Sequence, residues 1–84
     1  MTDKVLVELI VPDIEERYTL FLPISKRIGD IINLIMKSIT DLTNGAYIGS
    51  PSVALYSADT GEKYPANALL YSTTIRNGTA LILL

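Results

Sequence analysis

The segment SKRIGDIINLIMKSITDL, residues 25–42, decides how the rest of the chain is read. Ile28, Ile31, Ile32, Ile35, Ile39 and Leu42 recur at steps of three or four, which places them on one stripe of an α-helix. Asp30, Asn33, Lys37, Thr40 and Asp41 fall on the other side, and only Leu34 sits clearly off the stripe. Ser25 is the expected N-cap, because its hydroxyl can accept a hydrogen bond from one of the first unpaired backbone N–H groups. Asn44-Gly45 follows, the residue types that most readily take the left-handed conformation ending a helix. Isoleucine is a poor helix former on intrinsic propensity. Its repeated use here points to packing of β-branched side chains on a pleated sheet, so one helix lies across one sheet.

The flanking segments supply that sheet. Residues 4–11 alternate, with Val5, Val7, Leu9 and Val11 on one face and Lys4, Leu6, Glu8 and Ile10 on the other. Glu8 marks the even face as solvated, so the odd face meets the helix. Pro12-Asp13 with Glu15-Glu16 reads as a hairpin turn, and residues 17–22 as the return strand. There Tyr18, Leu20 and Leu22 point inward, Arg17, Thr19 and Phe21 outward, and Pro23 ends the strand. Residues 43–52 form a loop, 53–57 a third strand, 58–61 a tight turn and 62–64 a brief fourth strand. Residues 65–75 are an irregular crossing with at most one helical turn, Arg76-Asn77-Gly78 is a turn, and 79–84 the last strand. This order defines an α+β chain of the β-grasp type, a mixed sheet of four to five strands with one helix packed across it. The last strand is expected beside the first and parallel to it, since its apolar character suits a central position.

Composition bounds the function. Eighty-four residues make one domain, residues 1–84, and 49% hydrophobic content provides the dense core that so short a chain requires. Without cysteine there is no disulfide and no thiol nucleophile, and without histidine the commonest general base and metal ligand are missing. A net charge of −2 argues against nucleic acid, which calls for a basic stripe. The N-terminus lacks the basic leader of a signal peptide, and no apolar run approaches the ~20 residues of a membrane helix. A cytoplasmic protein without membrane insertion is expected. The Asp13, Glu15, Glu16 cluster lacks the spacing of a calcium loop and reads as a solvated turn, as does the Asp59-Glu62 stretch. No catalytic, cofactor or metal site is expected, and the chain is not read as an enzyme.

One feature asks for a function. Alternation leaves Leu6 and Ile10, Phe21, and Ala80, Ile82 and Leu84 on the sheet face turned away from the helix, joined by Ala54 or Tyr56 according to register. With the first and last strands adjacent, Leu6, Ile10, Ile82 and Leu84 are expected side by side. Burying such side chains is worth roughly 1.5–3 kcal/mol each before entropic costs, and a contiguous apolar patch tends to mark an interface. Leu6, Ile10, Phe21, Ala54, Ile82 and Leu84 are the expected partner-binding set, for a protein partner or a homodimer.

Along its whole length the chain resembles ubiquitin-like proteins, through Thr19-Leu20-Phe21-Leu22, Ile28, Ile31 and Ile35, Leu70 before Ile75, and Asn77-Gly78-Thr79-Ala80-Leu81-Ile82-Leu83. Within them it is most similar to the YukD/EsaB type that accompanies type VII (ESX-like) secretion systems of Gram-positive bacteria. That match rests on Val5-Leu6-Val7-Glu8-Leu9, residues 23–30, Thr60-Gly61-Glu62 and Arg76-Asn77-Gly78-Thr79. The resemblance implies a non-catalytic accessory protein of the secretion apparatus. Conjugated modifiers and sulfur carriers carry a flexible Gly-Gly tail, whereas this chain ends at Leu83-Leu84 and has no adjacent glycines, so conjugation is not expected. A small non-catalytic subunit of an enzyme complex, as β-grasp subunits are in some multicomponent monooxygenases, is the alternative.

Overall fold

The computed structural model describes residues 3–84. Strand β1 (Lys4–Val11) and strand β2 (Glu16–Pro23) form an antiparallel hairpin whose register runs unbroken from Lys4–Pro23 to Val11–Glu16. Helix α1 (Ile28–Leu42) follows, then strands β3 (Leu55–Ser57) and β4 (Ala80–Leu83). The sheet order is β2-β1-β4-β3, with β4 parallel to β1 and antiparallel to β3. This is the β-grasp arrangement, with the last strand in the middle.

The core lies between one face of this sheet and the isoleucine stripe. Val7, Leu9, Val11, Leu55, Leu81 and Leu83 from the strands meet Ile28, Ile31, Ile32, Ile35 and Ile39 from the helix. The odd positions of β1 are the inner ones, as the alternation requires. Leu34 stands outside the stripe and is half exposed. Leu42 departs from the expected pattern at 62% exposure. It is the last helical residue, a turn beyond Ile39, and Tyr47 from the following loop is buried in the core instead. Two threonines fold that loop back on the helix: the Thr40 hydroxyl donates to the Tyr47 carbonyl at 2.9 Å, and the Tyr47 N–H donates to the Thr43 hydroxyl at 3.0 Å. Asn44 and Gly45 end the helix with φ of 53° and 84°, the left-handed conformation foreseen for them.

The start of the helix is not capped by Ser25. Arg27 occupies the cap position with no side-chain cap bond. The first N–H groups are taken up by the crossing segment some forty residues on. Ile28 donates to the Ala68 carbonyl and Gly29 to that of Ala66, both at 2.8 Å. A Cβ on Gly29 would sit 3.2 Å from the Ala66 oxygen, so glycine permits this close approach. In return Leu70 and Tyr71 donate to the carbonyls of Lys26 and Ile24. A tertiary clamp thus replaces a local cap and satisfies the same donors.

The brief fourth strand is the other difference. Residues 62–64 make one isolated bridge, Lys63 to Tyr56, flanked by Ser57 N–H to Glu62 O and Tyr64 N–H to Leu55 O bonds. Three residues after a tight turn run alongside β3 without extending the sheet, which has four strands. The crossing contains a single 3-10 turn, Leu70–Ser72, with Leu70 buried.

Tyr47 carries a consequence for alkaline stability. Burial, and secondarily the negative charge of Asp13, push its hydroxyl above the usual tyrosine value of about 10. Below that pH the residue is neutral in both states and its contribution is present in full. Above it the unfolded chain releases its proton first, so stability falls as pH climbs toward the folded-state pKa. The urea midpoint of the wild type is therefore expected to fall more steeply above pH 10 than that of Tyr47→Phe. Parallel curves would exclude this role for Tyr47.

Candidate functional site

Covering one sheet face with the helix leaves the other to solvent, and the register fixes what stands there. Ile10 on β1, Ile82 on β4 and Tyr56 on β3 are successive Cα partners and form one row across three strands. Arg17 on β2 ends that row opposite Ile10. Two residues along the sheet come Ala80, Glu8 and Thr19, and two further Leu6 opposite Phe21. The row of three is half-buried by its own neighbours, whereas Leu6 is 37% and Phe21 66% exposed.

The expected partner-binding residues are thus brought together only in part. Ile10 and Ile82 are direct neighbours. Leu6 lies about 13 Å away along β1, four residues at ~3.3 Å each, and groups with Phe21. Leu84 is 60% exposed at the opposite end, where it exchanges two 3.0 Å backbone hydrogen bonds with Ala54. Ala54 itself is only 6% exposed and, with a single methyl group, offers a partner little to grip. Tyr56 takes the place expected for it. The choice between the two turned on where β3 pairs with β4, and the Tyr56–Ile82 register decides it.

A charged pair divides the surface. The Arg17 guanidinium donates to the Glu8 carboxylate at 2.9 Å, diagonally between the two apolar groups. The Arg17 side chain is largely exposed and that of Glu8 nearly half so, and the pair adds little stability. Its effect is to make this an amphipathic face, with polar groups able to orient a partner and apolar ones to hold it.

Leu6 is held in place by the turn before β4. Its N–H donates to the Asn77 side-chain oxygen at 2.9 Å, and its carbonyl accepts from Gly78 N–H at 2.8 Å. These bonds continue the parallel ladder past the end of β4. Asn77→Ala removes one of them and is expected to cost about 0.5–1.5 kcal/mol, a drop of roughly 2–12 °C in melting temperature for a domain this size. Asn77→Asp, which keeps the acceptor, is expected to retain most of that stability in the same melt.

An open groove of about 870 Å³ lies beyond β3, lined by hydroxyls and the exposed carboxylates of Asp59 and Glu62. With no histidine or cysteine in the chain, neither of these two residue types can serve it as nucleophile or base. Asp13, Glu15 and Glu16 at the hairpin tip are all exposed. Among the described residues no three His, Cys, Asp or Glu gather to hold a metal ion, and no helix is long and apolar enough to cross a membrane.

Comparison with solved structures gives the fold its class: the chain has a ubiquitin-like β-grasp fold. The EccD5 ubiquitin-like domain from Mycobacterium xenopi matches over 99% of this chain and 97% of its own, with a TM-score of 0.73 and 15% identity. A chain of the MycP5-free ESX-5 inner membrane complex matches over 99% of this chain at TM-score 0.78 and 16% identity; the match spans about a fifth (21%) of that longer chain. A chain of the toluene 4-monooxygenase HD complex with 4-bromobenzoate matches over 95% of both chains at TM-score 0.78 and 4% identity. No protein-family model matches the chain, and no curated protein sequence does.

Proposed function

We propose that this chain is a non-catalytic, cytoplasmic protein-interaction module of a bacterial type VII (ESX-like) secretion system, an accessory component of the YukD/EsaB type. It docks through the outer face of its sheet. The observation that carries this reading is the row Ile10, Ile82 and Tyr56, flanked by Leu6 with Phe21 and by Leu84, on the face the helix leaves bare. Likeness to an EccD5 domain and to part of an ESX-5 complex chain supports the choice of apparatus. The mechanism is the contribution of a rigid surface, with no bond made or broken.

The test is co-purification of the tagged chain with the membrane ATPase and the other apparatus components from a host that encodes them. Retention of apparatus components supports the reading. The likeness to a toluene 4-monooxygenase chain favours a second reading, a small subunit of an oxygenase complex. Selective retention of oxygenase components, or formation of an adenylate with an E1-like activating enzyme and ATP, would replace the first.

A further inference from the structure

The two edges of the sheet are unequal. On one side β3 is three residues long and residues 62–64 lie along it. On the other side β2 is eight residues long, pairs only with β1 among the described residues, and contains neither a bulge nor a lysine; its one proline is its last residue. Of the devices usual on exposed edges, β2 carries only the charges of Glu16 and Arg17 at one end and Pro23 at the other, and its centre, residues 18–22, has none.

The hydrogen-bond parity shows which groups this edge offers. Ile24 donates to the Asp3 carbonyl, and Leu6, opposite Phe21, turns both its backbone groups toward the last strand and its preceding turn. In an antiparallel ladder these pairs alternate. The even residues of β2 therefore bond β1, and Arg17, Thr19 and Phe21 direct their N–H and C=O outward. Proline at position 23, where an outward N–H would stand, interrupts nothing. Beside the edge, Phe21, Leu34 and Ile35 line a cleft of about 130 Å³ between β2 and α1, and Phe21 and Leu34 are 66% and 50% exposed.

We propose that β2 pairs antiparallel with β2 of a second copy of this chain across a two-fold axis at Thr19, joining two four-stranded sheets into one of eight. Charge and side-chain order select this occupant. The edge begins acidic, with Asp13, Glu15 and Glu16, and finishes beside Lys4, the register partner of Pro23, and Lys26. Antiparallel pairing sets each acidic start against the basic finish of the other copy. With Thr19 opposite Thr19, Arg17 stands opposite Phe21 of the second copy on the outer face, where a guanidinium over an aromatic ring is favourable. Glu15, in the turn just before β2, comes to the end of the pairing that Lys4 of the second copy flanks. Asp3 lies on the other face by alternation. The outward groups of Arg17, Thr19 and Phe21 all find partners, and symmetry makes each favourable contact occur twice. The same step joins the Leu6–Phe21 group of one copy to the Ile10–Ile82–Tyr56 row of the other.

The test is the concentration dependence of mass in sedimentation equilibrium, together with cross-linking. The wild type is expected to move from 9.2 kDa toward twice that mass as concentration rises. Thr19→Pro, which removes the central N–H from an edge where proline is tolerated, is expected to remain at 9.2 kDa with an unchanged circular-dichroism spectrum. Because the chain has no cysteine, a disulfide dimer of Thr19→Cys can form only through residue 19. The ~5.5 Å Cα spacing of a hydrogen-bonded pair permits that bond, while Ser52→Cys, in the loop before β3, is expected to give none. A wild type that stays at the monomer mass into the millimolar range, or equal cross-linking from positions 19 and 52, overturns the proposal. So does a dimer that survives Thr19→Pro and is lost in Leu6→Asp with Ile82→Asp, since that locates the contact on the outer face. Retention of secretion components by Thr19→Pro leaves the docking face standing independently.

Discussion

Leu81→Ala is expected to lower stability by about 2–5 kcal/mol, the range for truncating a buried leucine where the surroundings cannot collapse into the space. Leu81 is fully buried in the central strand, between Leu9 on β1 and Ser57 on β3, facing the helix. It has neighbours on both flanks and a helix above, so little can move to fill a cavity. A domain of this length has roughly 4–13 kcal/mol in total, and the loss corresponds to a melting temperature lower by roughly 10–30 °C. Thermal and urea unfolding measure it. Leu42→Ala is the comparison: that side chain is mostly in water, and its loss is expected to stay within about 0.5 kcal/mol. A loss at Leu81 below 1 kcal/mol would mean that the space between β4 and α1 is looser than the burial indicates.

The fold was legible because two periodicities agree. The three-and-four spacing of the isoleucines gives a helix with one apolar face, and alternation in residues 4–11 and 17–22 gives strands with one apolar face; both faces have only each other to cover. What could not be read locally depends on partners distant in the chain. Ser25 has the chemistry of a cap, yet the carbonyls of Ala66 and Ala68 reach the helix start and make a side-chain cap unnecessary. Leu42 has the right angular position but lies past the end of the core, where Tyr47 is brought in by Thr40 and Thr43. Residues 62–64 have strand character but only one bridge. At the candidate site, alternation identified the exposed side of each strand. It could not choose Tyr56 over Ala54, nor show Leu6 and Leu84 at opposite ends, because both follow from how β1, β4 and β3 are registered. The open edge of β2 is also a product of strand order.

One residue after Leu81 the expectation reverses in kind. Ile82 faces the other side of the same strand, in the row with Ile10 and Tyr56. Leu6→Asp with Ile82→Asp is expected to weaken binding of the proposed apparatus partner by at least about 30-fold, because buried apolar anchors at an interface centre are typically worth 2 kcal/mol or more. Two carboxylates would also have to be desolvated without partners, and one stands beside Glu8, where like charge adds to the cost. Leu6 is open enough for the fold to bear the change; Ile82 is half-buried, so its aspartate costs some stability as well. Titration calorimetry well below the melting temperature separates the two effects, with Leu6→Asp alone giving the loss that owes nothing to the interior. Leu34→Asp, on the exposed side of the helix, adds a charge of the same sign and is expected to leave affinity within about twofold. Binding unchanged by the double substitution would remove the outer face as the docking surface, whatever the partner. Equal losses from Leu34→Asp would assign the effect to net charge, because Leu34 is on the helix and outside the row Ile10, Ile82 and Tyr56.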